Sequence, residues 1–230
     1  MIDNIKLTER LLKIWQPADF THFFDKFSKK GPILIKKGTV LFNEAQPLDR
    51  LYFIKEGFVK LYRLSDKGRE SVIYLYGSGQ ILGIRALTSE DECAKHYAEA
   101  ITDLKIITVS RKEYFEAVSN HPEYLLDLLH VFIDRLNYTE KKLAGFILTD
   151  TIARVAFFLS DCAGRFGEKK DGKIELPLSL THQRISEFVG SFRETVTVAL
   201  QKLEKEGTIS INRGKVAILN LKKLHIHAGL

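Results

Sequence analysis

Apolar and polar positions follow different periods in successive parts of this chain. Up to about Lys30 the apolar residues have helical spacing, as in Phe20, Phe23, Phe24 and Phe27. From Ile33 to about Val109, short runs rich in Val, Ile, Tyr and Phe alternate with turn residues at intervals of about ten positions. This pattern predicts an antiparallel β domain of the sandwich or barrel type. The predicted turns are Lys37–Gly38, Glu56–Gly57, Asp66–Gly68, Gly77–Gly79 and Gly83.

From Pro122 the apolar period becomes helical and forms a heptad seam. A 3.5-residue repeat keeps one stripe of a helix facing a partner helix, so the seam predicts dimerisation. Further apolar residues outside the seam would pack one face of this helix on the chain's own β domain. The alternative is a helix that is buried wholly within one domain. The seam comprises Leu125, Leu129, Phe132, Leu136, Thr139, Leu143 and Phe146, and the outside residues are Leu126, Leu128, Ile133 and Ile147.

The stretch after Asp150 predicts two more helices and the first half of a turn motif. A helix is expected over about Ile152–Arg165, followed by a polar turn and a strand at Ile174–Leu176. Thr181 is a suitable N-cap for a short helix that runs through Phe188. Small Ser186 permits close packing of that helix, and Gly190 tolerates the tight turn after it.

Arg193 begins the second helix of the motif, which ends at Gly207. Beyond it, alternating apolar residues around the turn at 212–215 predict a hairpin with a basic tip. Two helices across a glycine turn, followed by such a hairpin, predict a winged helix-turn-helix. The apolar face of the second helix is Val196, Ala199, Leu200 and Leu203, and the hairpin residues are Ile209, Ile211, Val216 and Ile218.

The free face of that second helix carries the residue types that read DNA bases. Arg193, Glu194 and Thr197 fall on its N-terminal exposed side. Arginine bonds guanine through two donors, and glutamate accepts from the amino group of cytosine. A winged helix used for protein contacts is the alternative. The predicted phosphate contacts are Thr181, Gln183, Thr195, Arg213 and Lys215.

Composition adds little to this interpretation. The net charge is +6, and from Asp150 onward 13 Lys and Arg stand against nine Asp and Glu, which is compatible with an anionic partner. No apolar run approaches the ~18 residues of a membrane span. The first residues do not resemble a secretion signal, and the only cysteines, Cys93 and Cys162, are far apart. We therefore expect a cytoplasmic protein that has no disulfide framework and does not contact a membrane.

The order of these elements, with the stretch Val-Gly-Ser-Phe-Arg-Glu-Thr-Val at 189–196, resembles the CRP/FNR family of bacterial transcription regulators. The resemblance covers nearly the whole chain and is most specific from Thr181 to Lys215. It implies an α+β chain: an effector-sensing antiparallel β-roll at 1–120, similar to the cyclic-nucleotide-binding jelly roll, a dimerisation helix at 121–149 and a DNA-binding winged helix-turn-helix at 150–230. It also implies a homodimer on an inverted repeat in double-stranded DNA, with RNA polymerase as a further partner and no enzymatic activity.

Base reading in the family depends on a few positions of the second helix. Arg193 and Glu194 match the family's principal base-reading pair. Val198 stands where many members carry a second base-reading arginine. Outer positions of the half-site are therefore expected to be less strictly specified, or read through a thymine methyl.

The resemblance further implies a small effector, which is not expected to be cyclic AMP. Members that bind cyclic AMP hold its ribose with a glutamate after a glycine and its phosphate with an Arg-Ser or Arg-Thr pair. The matching stretches, Gly83–Ala86 and Lys95–Tyr97, contain neither. Iron–sulfur members need a cluster of cysteines, which Cys93 and Cys162 cannot supply. Haem members need an axial ligand, for which His96 or Cys93 is available.

Within the family the chain is most similar to the cyanobacterial global nitrogen regulators, which sense 2-oxoglutarate. The similarity includes residues 135–140 and 178–183. It implies that Arg135 and Glu140 help bind the keto acid, together with backbone amides at 83–85, although the second carboxylate-binding arginine of that group is replaced near Lys95. No cofactor is certain, and 2-oxoglutarate is a candidate effector. The expected effector contacts are Gly83, Ile84, Arg85, Lys95, Tyr97, Arg135, Thr139 and Glu140.

Other interpretations stay open beside this one. Arg135 and Glu140 are alternatively an ordinary charged pair on the helix flank, an aromatic ligand would suit Tyr74, Tyr76 and Tyr97, and a regulator without effector is a further option. A ligand-sensing module that acts on a protein partner and a cupin-like metal enzyme are the two other classes. Cupins need His-x-His within their strands, whereas here only His225 and His227 are so spaced, near the C-terminus. We therefore expect no metal site.

Overall fold

The computed structural model describes residues 20–28, 31–44, 46–88, 93–148 and 150–229. The expected helical positions before Phe20 lie outside these residues. In chain order the elements are α1 (Thr21–Phe27), β1 (Ile33–Ile35), β2 (Val40–Phe42), β3 (Arg50–Glu56), β4 (Val59–Leu64), β5 (Glu70–Tyr76), β6 (Ile81–Leu82), a 3₁₀ helix (Ile84–Leu87), β7 (Tyr97–Ala100), β8 (Leu104–Ser110), α2 (Arg111–Asn120), α3 (Glu123–Leu148), α4 (Thr151–Phe166), β9 (Glu168–Lys170), β10 (Lys173–Ser179), α5 (His182–Val189), α6 (Arg193–Lys205), β11 (Ile209–Asn212), β12 (Lys215–Ile218) and α7 (Leu221–Ala228).

The described residues form two compact units, one within 20–59 and 76–139 and the other within 60–75 and 140–229. In the first unit an antiparallel sheet has the order β1-β8-β3-β6, and β2 pairs with β7. The predicted antiparallel β architecture is therefore confirmed. Phe20, Phe23 and Phe24 are buried in its core, where the Phe24 ring stacks on Phe53 at 5.1 Å between centroids.

Helix α2 was not predicted, although its start carries a clear signal. The Ser110 hydroxyl accepts from the backbone N–H of Glu113, and the Glu113 carboxylate accepts from the backbone N–H of Ser110. This reciprocal capping box satisfies two donors that a helix start otherwise leaves without partners. The Ser-x-x-Glu pattern marks the start of α2, which apolar periodicity alone does not predict.

Helix α3 is a single helix whose heptad seam is exposed. Leu128 and Val131 pack on the core of the first unit, as expected for one face. The alternative of a wholly buried helix is wrong, since Leu136 in the seam is 57% exposed. Leu126 and Ile133, expected to pack on the β domain, are also exposed. They lie seven residues apart and so share a line beside the seam rather than opposite it.

The second unit contains the neighbouring strands β4 and β5 and the end of α3. It also contains a four-stranded sheet of order β11-β12-β10-β9. Its helices pack through α4, whose Phe158 ring stacks on Phe188 at 4.5 Å. Helix α7 was not predicted. Asn220 caps its start by accepting from the backbone N–H of Lys223, and Leu224 and Ala228 are buried at helical spacing.

A half-buried polar cluster joins three elements of this unit. The Lys142 ammonium, on α3, donates to the carbonyl oxygens of Val72 at 2.8 Å and Ile73 at 3.3 Å on β5. Arg165, on α4, pairs with Asp161 at 2.9 Å and donates to the carbonyl oxygen of Leu75. Burial lowers the pKa of Lys142 from 10.5 to about 8, while nearby Asp161 opposes the fall. The carbonyls of β5 therefore have cationic partners on two helices.

Candidate DNA interface and effector site

Helix α5 and its following turn form as the sequence predicts. The Thr181 hydroxyl accepts from the backbone N–H of Arg184 at 3.2 Å, which confirms the N-cap. Ser186 is buried and donates to the carbonyl oxygen of Gln183 at 2.7 Å. Gly190 has a φ of +60°, and a Cβ there would lie 2.8 Å from the Phe146 ring. The backbone thus favours glycine at 190, and a Cβ there would also displace the Phe146 ring.

Helix α6 buries one side and exposes its first turn. Val196, Leu200 and Leu203 are fully buried, so they fix the helix against the second unit's core. Arg193 and Glu194 are exposed, together with Thr195. The start of α6 therefore offers a guanidinium and a carboxylate to a partner, in the positions where base-reading residues were predicted.

Thr197 is less accessible than the sequence suggests. Its side chain is half-buried, and its hydroxyl donates to the carbonyl oxygen of Arg193 at 2.9 Å. The ring Nδ1 of His182 lies 2.9 Å from the same hydroxyl oxygen. Sequence reasoning did not select His182, because the two residues are far apart in the chain and meet only when α5 packs on α6.

The wing is a tight hairpin with an exposed basic tip. Arg213 and Gly214 both have positive φ, 49° and 79°, as expected for a two-residue hairpin turn. Arg213 and Lys215 are exposed. The backbone N–H of Leu180 donates to the carbonyl oxygen of Gly214 at 2.8 Å. This bond holds the wing tip beside the start of α5, so that Thr181, Arg213 and Lys215 lie at the same end of the motif.

Two further side chains of this unit have partners of their own. The amide of Gln183, an expected phosphate contact, donates to the Glu187 carboxylate at 2.9 Å. Arg69, in the turn between β4 and β5, lies 5.0 Å from the Phe192 ring centroid and donates to the carbonyl oxygen of Ser191 at 3.4 Å. Nothing in the sequence pattern pointed to Arg69, since its partners are more than a hundred residues away.

The expected effector residues of the β domain lie in or next to the 3₁₀ helix and β7. Gly83 has a φ of +83°, and a Cβ there would lie 2.7 Å from the carbonyl oxygen of Arg50, so this turn needs glycine. Ile84 is buried in the core, whereas Arg85 and Lys95 are exposed. Tyr97 is half-buried on β7.

The remaining expected effector residues lie along α3. The Arg135 guanidinium is half-buried and lies 5.8 Å from the Tyr76 ring centroid. The Thr139 hydroxyl donates to the carbonyl oxygen of Arg135 at 2.8 Å, so it is satisfied within the helix. Glu140 is exposed. Among the three basic residues expected to bind the effector, Arg135 is half-buried, whereas Arg85 and Lys95 are exposed.

The described residues do not show a metal site or a membrane-spanning helix. No group of three or more His, Cys, Asp or Glu among them is arranged to hold a metal ion. His227, on α7, instead has its Nε2 2.7 Å from a carboxylate oxygen of Glu206. None of the helices described is both long and apolar enough to cross a bilayer.

Comparison with known proteins matches two stretches of the chain to described families. The cyclic nucleotide-binding domain matches residues 32–121, and the Crp-like helix-turn-helix domain matches residues 153–225. A CRP-like cAMP-activated global transcriptional regulator of Mycobacterium tuberculosis is 32% identical over 84% of this chain and 86% of its own. A global nitrogen regulator of Synechocystis is 29% identical over 80% of this chain and 82% of its own. The structure of a CRP/FNR-family regulator from Thermus thermophilus has a TM-score of 0.71 at 27% identity, covering 86% of this chain and 98% of that one.

Proposed function

We propose, because the chain belongs to the CRP/FNR family of DNA-binding transcription regulators, that α6 enters the major groove and reads bases through Arg193 and Glu194. The observation that carries this proposal is the exposed first turn of α6, which presents both side chains while the opposite face is buried. Thr181, Thr195, Arg213 and Lys215 then contact phosphates on either side. Gln183 can join them once its amide leaves Glu187.

The protein acts as a homodimer in this proposal. Leu125, Leu129 and Leu136 of the heptad seam are exposed along α3, and a second copy of the same stripe would cover them. In such a dimer the two copies of α6 would contact the two half-sites of an inverted repeat, which lie about 34 Å apart on DNA. Action on transcription further implies contact with RNA polymerase, in the cytoplasm.

Substituting Arg193 and Arg213 in turn distinguishes base reading from phosphate binding. We expect Arg193→Ala to weaken binding to the preferred site by about 1–3 kcal/mol and to relax one base position in each half-site. Arg213→Ala should weaken binding to all sequences alike and reduce the slope of log affinity against log salt by about 0.9 per lost phosphate contact. Fluorescence anisotropy on the preferred site and on single-base variants measures both. An Arg193→Ala protein that keeps its sequence preference would refute the assignment of Arg193.

The effector is a small molecule other than cyclic AMP in this proposal. Ile84, at the position where a ribose-binding glutamate would stand, is buried in the apolar core and offers no carboxylate. Arg135 and Arg85 provide guanidinium groups, which bind carboxylates through paired hydrogen bonds. These features favour a dicarboxylate such as 2-oxoglutarate, bound between the β-roll and α3.

Isothermal titration of the full chain with 2-oxoglutarate and, separately, cyclic AMP tests this choice. We expect heat of binding with the keto acid and its loss in Arg135→Met, a variant of similar length without the charge. Lys141→Met, on an exposed position of α3, is the control and should bind as the parent does. Cyclic AMP is included because the Mycobacterium tuberculosis relative is described as cAMP-activated. Binding of cyclic AMP without binding of the keto acid would contradict the proposal.

A further inference from the structure

An apolar side chain lies in the middle of the exposed face of α6. Val198 is 63% exposed, although the helix buries Val196, Ala199 and Leu200 beside it. Glu194, one turn earlier, and Gln201 and Lys202, one turn later, are also exposed. Residues four apart in a helix share a face, so Val198 lies on the same face as Glu194.

This position gives valine no evident benefit in the free protein. A β-branched residue is less favourable than alanine in a helix by up to about 0.7 kcal/mol, and an exposed side chain recovers little of that by burial. Single exposed apolar residues are common on protein surfaces. What distinguishes Val198 is its place, on the same face as Glu194, one of the proposed base readers.

The geometry of a helix in the major groove limits what Val198 can contact. Four residues advance an α-helix by about 6 Å, and base pairs are stacked about 3.4 Å apart. Val198 would thus meet a base pair one or two steps from the pair that Glu194 contacts. Its side chain has no donor or acceptor, and the C5-methyl of thymine is the apolar group that an unmodified base pair presents in this groove.

We propose that Val198 is a specificity-determining residue that selects thymine in each half-site through contact with the thymine methyl. This inference rests on the proposed function, since it requires α6 to enter the major groove. The sequence left two expectations for the outer positions of the half-site: weak base preference, or recognition of a thymine methyl. The contact proposed for Val198 is the second of these.

The test removes only the methyl from the DNA. A site is first selected with the full-length protein from a pool of randomised inverted repeats, and each thymine of the half-site is then replaced by deoxyuridine. Affinities are measured by fluorescence anisotropy for the parent protein and for Val198→Ala. Lys205→Ala, at the exposed last residue of α6, serves as the matched control.

For the parent protein we expect one thymine position at which deoxyuridine weakens binding. The loss should be about fourfold when one half-site is changed, as for one buried methyl group, and about fifteenfold when both half-sites are changed. Val198→Ala should lose most of this sensitivity, and Lys205→Ala should keep it. Replacing the same base pair by cytosine–guanine should weaken binding by the parent protein, and 5-methylcytosine should restore part of it, because that base carries a methyl at the same place.

Two results would overturn the inference while the proposed function stands. One is a selected site at which no thymine-to-deoxyuridine change alters affinity. The other is an equal loss in the parent and in Val198→Ala, which would assign the methyl contact to another residue. If the selection returns no preferred repeat at all, the proposed function itself fails, and this outcome is distinct from the other two.

Discussion

Two glycines of the second unit illustrate what single residues contribute. Gly190 has a φ of +60°, and a Cβ there would lie 2.8 Å from the Phe146 ring. Gly164 lies within α4, and a Cβ there would meet nothing within 4 Å. The requirement for glycine at 190 follows from local turn chemistry, and so does the cap at Thr181; both could be predicted from the sequence. The contacts of His182 and Arg69 could not, since they depend on how distant segments pack.

We expect opposite effects from alanine at these two glycines. Gly190→Ala should lower the free energy of unfolding by about 1–3 kcal/mol, because alanine is strained at positive φ and its Cβ would displace the Phe146 ring. Gly164→Ala should raise it by about 0.5–1 kcal/mol, because alanine is favoured within a helix. Urea denaturation followed by circular dichroism measures both. Changes of the same sign would contradict this account of Gly190.

At the scale of elements, periodicity was most informative where an element is long or strongly patterned. The heptad seam predicted α3, and the residues at 180–218 predicted α5, α6 and the wing. Short α2 and α7 were missed, although Ser110 with Glu113 and Asn220 marked their starts. The placement of Leu126 and Ile133 was wrong, because a repeat of apolar positions does not say which side of a wide stripe is covered.

The exposed seam of α3 leads to a prediction about assembly. Leu136→Glu puts a charge into the stripe of each copy, and we expect the dimer dissociation constant to rise at least about 100-fold. Leu34→Glu is the matched control, since Leu34 is 79% exposed on β1, which pairs with β8 and is not part of the seam. Sedimentation velocity over a range of concentrations measures both. A Leu136→Glu protein that sediments as the parent does would exclude this stripe as the dimer interface.

The polar cluster around Lys142 predicts a pH dependence of stability. Because the folded pKa, about 8, lies below 10.5, the unfolded chain holds more protons between these values and stability must rise with pH there. From pH 8 to 10.5 the unfolding free energy of the parent should rise, relative to that of Lys142→Met, by up to about 3 kcal/mol. Lys141→Met, at the exposed neighbour, should follow the parent. A pH-independent difference would contradict the shift assigned to Lys142.

At the scale of the whole molecule, the sequence indicated the family and the order of its parts but not its signal. The match of residues 32–121 to the cyclic nucleotide-binding domain agrees with a sensor fold, and residues 153–225 match the DNA-binding motif. In the proposed function, effector choice depends on a few side chains, such as Arg135 and Arg85, whose positions around a ligand would be set by tertiary contacts. Local patterns carry little information about such contacts.

The most direct test of the central claim compares three DNA duplexes at about 0.15 M salt by fluorescence anisotropy: the selected inverted repeat, a single half-site and a scrambled sequence of the same composition. A homodimer that reads bases through α6 should bind the repeat at least about 10³-fold more tightly than the scrambled duplex, with the half-site in between. Equal affinity for all three, falling together as salt is added, would show only electrostatic attraction to DNA and contradict the account.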